Sequence, residues 1–259
     1  MTGLPQTRAE DASAPVPTLL SWSGGKDSAW ALHELRRQRR FTVVALLTTL
    51  TDEYDRVAMH GISRNVLHAQ ANAAGLPLIE SRLPRGADNA AYESAFADTL
   101  ASARARWPGV QHIAFGDLYL ADIRAYRQTL CQRLGWQPLF PIWGAADATA
   151  ALARQMLAAG LRARLCCVDT QQLDARFAGR EFAADLLAEL PATVDPCGEN
   201  GEFHTCVHAG PMFTAPLALR PGPTLLRDDR FAFTELWLPG RDDGAQAMPS
   251  PAESGTRLA

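Results

Sequence analysis

From Thr18 to Val168, short apolar runs alternate with longer stretches in which apolar residues recur every three or four positions. Thr18–Trp22 and Val43–Thr48 are compact apolar runs of strand length, and Leu78–Ile79, Ile113–Phe115 and Ala163–Val168 are further strand candidates. Runs of this kind, bounded by polar and turn residues, suit strands buried on both faces. Between and after them, Ala29–Arg39, Val66–Ala74, Tyr92–Arg106, Ile123–Leu134 and Ala148–Ala158 carry the helical period. Strand and helix in alternation predict a parallel α/β sheet. After Asp195 the rhythm breaks into a Gly/Asn/His-rich loop, then extended segments near Leu217–Leu219 and Phe231–Leu238. This predicts a smaller, partly antiparallel second unit. The change of pattern sets a boundary near Gly144, giving domains at 18–144 and 145–239. Residues 1–17 and 240–259, rich in Pro, Gly, Ser, Ala and charge, are expected to be disordered.

Composition narrows the function. A 47% hydrophobic, 20% charged chain is ordinary globular material, so whole-chain disorder is excluded. A formal net charge of -3 argues against a general nucleic-acid binder, whose affinity comes from summed phosphate neutralisation. The five cysteines include the adjacent pair Cys166-Cys167 in an apolar run, a poor basis for a disulfide framework, so reduced thiols and a cytoplasmic location are expected. The amino-terminal segment lacks the pattern of a secretory signal, and no apolar run is long enough to span a bilayer. Of the 25 basic residues, one is lysine, Lys26, and the other 24 are arginine.

That lysine lies in Ser23-Gly24-Gly25-Lys26-Asp27-Ser28, between the strand Thr18–Trp22 and a helix expected to begin near Ala29. Strand, glycine loop and helix make a phosphate cradle: the glycines permit positive φ and close approach, and backbone N–H groups and the helix end converge on an anion. Lys26 adds a compact charge, and Ser23 and Ser28 add hydroxyls. The segment is not a Walker A loop, because Leu20 stands where that pattern needs its first glycine. A solvated lysine on an ordinary glycine turn is the competing reading.

Ser23–Ser28 resembles the SGGKDS loop of the PP-loop, or N-type, ATP pyrophosphatases, which cleave ATP between its α and β phosphates. Met59-His60-Gly61, Gln70-Ala71, Phe115-Gly116-Asp117, Pro141-Ile142-Trp143-Gly144 and the run from Asp195 to Thr205 extend the resemblance to the diphthine–ammonia ligase, or diphthamide synthase, family. The similarity spans about Leu19 to Phe213. It implies a HUP-type, Rossmann-like five-stranded parallel sheet followed by a smaller α/β substrate domain. It further implies ATP binding by Ser23, Gly24, Gly25, Lys26, Asp27, Ser28, Gly116 and Asp117, with Gly116 leaving room for nucleotide. Asp27 is the candidate Mg²⁺ ligand.

Cys197 to His208 concentrates Glu199, Glu202, His204, Cys206 and His208 in one stretch. A zinc site and a polar surface loop are both readings of that density. The resemblance favours a catalytic and substrate-binding loop, with Glu199, Glu202 and His204 joining Lys26 and Asp27 in catalysis and Asn200, Gly201 and Thr205 contacting substrate. Arg124 and His60 are further substrate-binding candidates. For Asp117 a helix cap, and for Arg124 a solvated surface position, are equally open; Trp143 is expected to pack the domain junction.

The reaction implied is ATP-dependent amide formation, in which a carboxylate is adenylated with release of pyrophosphate and ammonia, supplied as ammonium, displaces AMP. ATP and Mg²⁺ are the expected cofactors, and the acceptor is a protein side chain or a small molecule. Amidation of a cobalamin-precursor carboxylate, tRNA modification and a non-catalytic nucleotide-binding regulator are the alternatives.

Overall fold

The structure is a computed structural model that describes residues 14–53, 55–57 and 60–240. Apart from residues 14–17 and Gly240, the ends expected to be disordered lie outside the described residues, as does Met59 of the motif before Gly61.

Five strands form a parallel sheet, and four of them fall on the apolar runs that predict it; the fifth, Gln137–Leu139, is too short to show as such a run, and Ala163–Val168 goes instead to the antiparallel sheet of the second half. The five are β1 (Val16–Ser21), β2 (Phe41–Thr51), β4 (Leu78–Leu83), β5 (His112–Ala114) and β6 (Gln137–Leu139). Their order is β4-β2-β1-β5-β6, and all four pairings are parallel. A sixth short strand, β3 (Arg56–Val57), pairs antiparallel with Leu50 and Thr51, past the point where β1 leaves β2. Two helices, α1 (Lys26–Gln38) and α2 (Arg64–Ala74), cover one face of the sheet, and α3 (Asn89–Arg106) and α4 (Ala121–Arg133) cover the other. Leu19 and Leu20 are completely buried and point into opposite cores, so β1 has no polar face.

Local chemistry sets several helix ends. Ser63 accepts from the Val66 N–H to start α2, and Gly75 at φ +67° ends it. Asp88 accepts from the Ala91 N–H to start α3. Helix α1 begins at Lys26, three residues earlier than the apolar periodicity predicts.

The second half contains α5 (Thr149–Ala158), the short α6 (Ala184–Glu189) and a four-stranded antiparallel sheet. Its strands are β7 (Arg162–Asp169), β8 (Phe203–Ala209), β9 (Arg220–Arg227) and β10 (Phe231–Trp237), in the order β8-β7-β10-β9. Two expectations shift here. The region read as loop after Phe203 is strand β8, and the extended segment near Leu217–Leu219 becomes a strand only from Arg220. One hydrophobic core joins Trp30 and Leu67 of the α1 and α2 layer to Leu165, Phe203 and Val207 of the second sheet. Sheet edge β8 thereby lies against α1, and this places the site.

Candidate functional site

The glycine loop leaves the carboxyl end of β1 next to β5, where strand order reverses and open α/β sheets collect ligands. Its shape is held from outside. Gly24 adopts φ +81°, and a Cβ there would come within 2.8 Å of Gln70 Oε1. Gly25 has an ordinary φ of -84°, so close approach is what requires glycine: an added Cβ would lie 3.1 Å from the Thr205 carbonyl and 3.2 Å from His60 Nε2. Gly25 is the N-cap of α1 and has no side chain to cap with. The Thr205 hydroxyl supplies that cap from β8, accepting from the Lys26 N–H at 3.0 Å. Ser23 Oγ accepts from the Gly25 N–H at 3.2 Å, and Ser28 Oγ donates to the Gly25 carbonyl at 3.0 Å.

Gly116 approaches the same loop. A Cβ on Gly116 would meet the Ser28 N at 2.8 Å and the Asp27 carbonyl carbon at 2.9 Å, so the residue makes room for the first turn of α1. Asp117 is neither a helix cap nor open to solvent. Its carboxylate accepts from Arg127 Nε at 2.6 Å in a buried pair, and the Arg127 guanidinium lies 4.3 Å from the Phe115 ring.

Lys26 is 2% exposed, and its ammonium turns toward the second half. It donates to Asp27 Oδ2 at 2.9 Å and to the Cys197 carbonyl, between the rings of Phe182 and Phe203. Burial works against the charge, but the surrounding acidic groups, Asp27 first and then Cys197 and Glu199, together outweigh it and the pKa is raised. Asp27 Oδ1 is buried without a hydrogen-bond partner. That spare carboxylate oxygen beside the glycine loop fits Mg²⁺, which takes one or two carboxylates and leaves its other positions to phosphates and water. Among the described residues, no three His, Cys, Asp or Glu side chains are grouped to hold a metal, which disfavours zinc.

The segment from Asp195 to Glu202 is organised by its own carboxylates. Asp195 Oδ1 accepts from the N–H groups of Cys197 and Glu199, and Oδ2 from the Thr149 hydroxyl at 2.7 Å. Glu202 is 2% exposed and is spent internally: Oε1 accepts from the Asp195 N–H and from Asn200 Nδ2, and Oε2 from the Asn200 N–H. Gly201, at φ +86°, has open space around it and serves the turn. Thr205 is buried under Lys26, where a substrate cannot touch it.

Glu199 is different. One oxygen accepts from the Leu118 N–H at 2.8 Å, at the carboxyl end of β5, and no hydrogen bond to its second oxygen is found among the described residues. Burial, and then the negative charge of Asp27, raise its pKa to about 7. Beside it, exposed Asn200 accepts from the Tyr119 hydroxyl at 3.1 Å. His204 and His60 pair with ring centroids 4.5 Å apart, against Gly25. Burial and the Lys26 charge lower His204 to about 4, so it is neutral at physiological pH, and its buried Nε2 lacks a partner.

Arg124, in the first turn of α4, is half-buried with its guanidinium 4.9 Å from the Phe140 ring and 4.5 Å from Trp143. No carboxylate pairs with it among the described residues. Trp143 thus packs on Arg124 and Phe140. The structure gathers the Ser23–Ser28 loop, His60 and Thr205–His204 into one cluster, and Glu199 and Asn200 with Leu118 and Tyr119 into an adjoining one. Lys26 bridges them through Cys197. Sequence reasoning missed Arg127, Thr149 and Tyr119, and quoted Gln70 only as part of a motif. Gln70 had a signal: it is an amide on the apolar face that α2 makes with Val66, Leu67, Ala71 and Ala74.

Two family models match the chain, the diphthamide synthase N-terminal domain over residues 17–138 and the diphthamide synthase C-terminal domain over residues 148–224. No curated protein matches it by sequence. Among solved structures, it is similar to the U34-tRNA thiolase NcsA from Methanococcus maripaludis with its 4Fe-4S cluster. The identity is 12% over 55% of this chain and 56% of that one, with a TM-score of 0.32. The match thus takes in little more than half of that protein. The first family model covers the glycine loop, Gln70 and Asp117, and the second covers Asp195 to Thr205, so both parts of the cluster fall within matched sequence. The chain belongs to the diphthamide synthase family, with the N-terminal and C-terminal domains in tandem.

Proposed function

We propose that this ATP-using PP-loop enzyme is a carboxylate–ammonia ligase. The acceptor carboxylate attacks the α-phosphorus of ATP, pyrophosphate leaves, and ammonia then attacks the acyl carbon and releases AMP. Activation is needed because a carboxylate would have to expel oxide, whereas the mixed anhydride expels AMP. The observation that carries this reading is the junction made by Lys26. Its N–H and ammonium tie the glycine loop to β8 and to the Asp195–Glu202 segment, which supports a reaction in which phosphates on the loop and an acceptor on that segment would meet.

In this reading the backbone of Ser23–Ser28 and Lys26 meet the phosphate charge as it develops. Asp27 would hold Mg²⁺, which neutralises phosphate oxygens when bound. Glu199, with a pKa of about 7 and one oxygen anchored, takes the proton that ammonium must lose before it attacks. Glu202 and Thr205 position the segment and the loop, while Asn200 and Arg124 face the acceptor. His60 and the neutral His204 line the loop.

The cysteines weigh against thiol chemistry of the tRNA-modifying kind. All five are buried and free, and burial raises every one of them, Cys131 to about 11 and Cys197 and Cys206 to about 12. The test is to supply Mg-ATP, ammonium and a series of carboxylic acids, including a cell metabolite extract, and to separate the nucleotide products. AMP and pyrophosphate, dependent on both ammonium and acid, are expected. ADP and orthophosphate would refute adenylation, and tight ATP binding without turnover across the whole series would point to a regulator.

A further inference from the structure

Gln70 has none of its surface exposed and sits where α2, the glycine loop and β8 meet. The Trp22 indole N–H lies 3.0 Å from Gln70 Oε1. An indole can only donate, so the amide oxygen must face it, and the NH₂ group is turned to the other side. There it donates to two carbonyls, Gly24 at 3.0 Å and Val207 at 2.8 Å. The Val207 N–H also donates to the Gly24 carbonyl, at 2.9 Å. That carbonyl thus receives two hydrogen bonds, one from α2 and one from β8. In a trans peptide the carbonyl and the following N–H point in opposite directions. Holding the Gly24 carbonyl toward Gln70 therefore turns the Gly25 N–H away from Gln70, to the side where Ser23 Oγ receives it. A peptide between two glycines has little orientation preference of its own, so the clamp must come from outside the loop.

We infer that Gln70 is a positioning residue that fixes the Gly24–Gly25 peptide so that the Gly25 N–H faces the phosphates of ATP. The inference rests on reading the loop as the phosphate site. It also gives β8 a part in that site, because Val207 shares the carbonyl that Gln70 holds. Gln70→Met keeps the length and removes both donors; Gln70→Glu turns a carboxylate toward two carbonyl oxygens. In either variant the Gly24 carbonyl keeps the Val207 N–H but loses its hold from α2, so the peptide is fixed from one side only and the Gly25 N–H is aimed less firmly at the anion.

Calorimetric titration at a temperature well below unfolding tests this with three probes: the α,β-methylene analogue of ATP with Mg²⁺, pyrophosphate with Mg²⁺, and adenosine. Each variant should bind the two phosphate probes on the order of tenfold or more weakly, as losing one hydrogen bond to an ion predicts, and adenosine as the wild type does. Unchanged phosphate affinity overturns the inference, and so does equal weakening for all three probes, the mark of a general structural defect. Wild-type protein that binds no phosphate probe overturns the phosphate reading itself and the inference with it. Glycine-labelled wild-type protein supplies a readout that needs no variant. Adding pyrophosphate should move the Gly25 amide resonance and leave the Trp22 indole N–H in place; a Gly25 resonance that stays put overturns the inference.

Discussion

Lys26 stands alone among 24 arginines, and its surroundings give a physical reason. Its ammonium fits between Phe182 and Phe203 with the Cys197 carbonyl and Asp27 as acceptors, a space for a point charge rather than a planar fork. Lys26→Arg should therefore cost about 1–3 kcal/mol through overpacking, read as a lowered melting temperature, and should abolish most ATP turnover. Glu199 carries a pH signature. Its folded pKa of about 7 lies above the ordinary 4.5, so the folded protein holds this proton more tightly than the unfolded chain. Its stabilising contribution is complete below about pH 4.5 and is lost as pH rises through 7. Glu199→Gln should accordingly match the wild type in stability at low pH and exceed it at pH 8, while losing amide formation; equal pH slopes in the two proteins would contradict the assignment. The glycine loop was legible in the sequence because its pattern is local, glycines and a lysine between a strand and a helix. The environment of Lys26 was not, since Phe182, Cys197 and Phe203 come from far along the chain.

At the level of elements, β8 acts as a buttress for the loop. Thr205 caps α1 through its hydroxyl and Val207 bonds the Gly24 carbonyl through its N–H, two anchors on one strand. Thr205→Val removes the cap acceptor, should cost about 1 kcal/mol of stability, and should weaken Mg-ATP binding more than adenosine binding. The helices and buried parallel strands were readable because their apolar periods persist over many residues. Strand β8 was hidden because Phe203-His204-Thr205-Cys206-Val207-His208 follows a glycine-rich turn and mixes polar groups that the fold then buries. The three-residue offset at the start of α1 has a similar origin: Lys26 and Asp27 are polar and carry no apolar period, yet tertiary contacts make them helical. The density of ligating residues around Cys197 suggested metal binding, and the structure instead spends Asp195 and Glu202 on backbone N–H groups of their own segment.

Across the whole molecule, the parallel sheet and the antiparallel sheet share one hydrophobic core through α1 and α2. The two halves should therefore unfold together. Scanning calorimetry should give a single transition whose calorimetric and van't Hoff enthalpies agree, and two separated transitions would show that the shared core does not couple them. The same continuity makes the site a joint product of the two matched family domains, since the loop comes from one and its cap and carboxylates from the other. The central claim is that a carboxylate oxygen becomes bonded to the α-phosphorus of ATP. It is tested most directly with an acceptor acid that supports pyrophosphate release, its carboxylate labelled with heavy oxygen. One labelled oxygen in the AMP released after amide formation is the predicted result, and AMP without label would contradict the account.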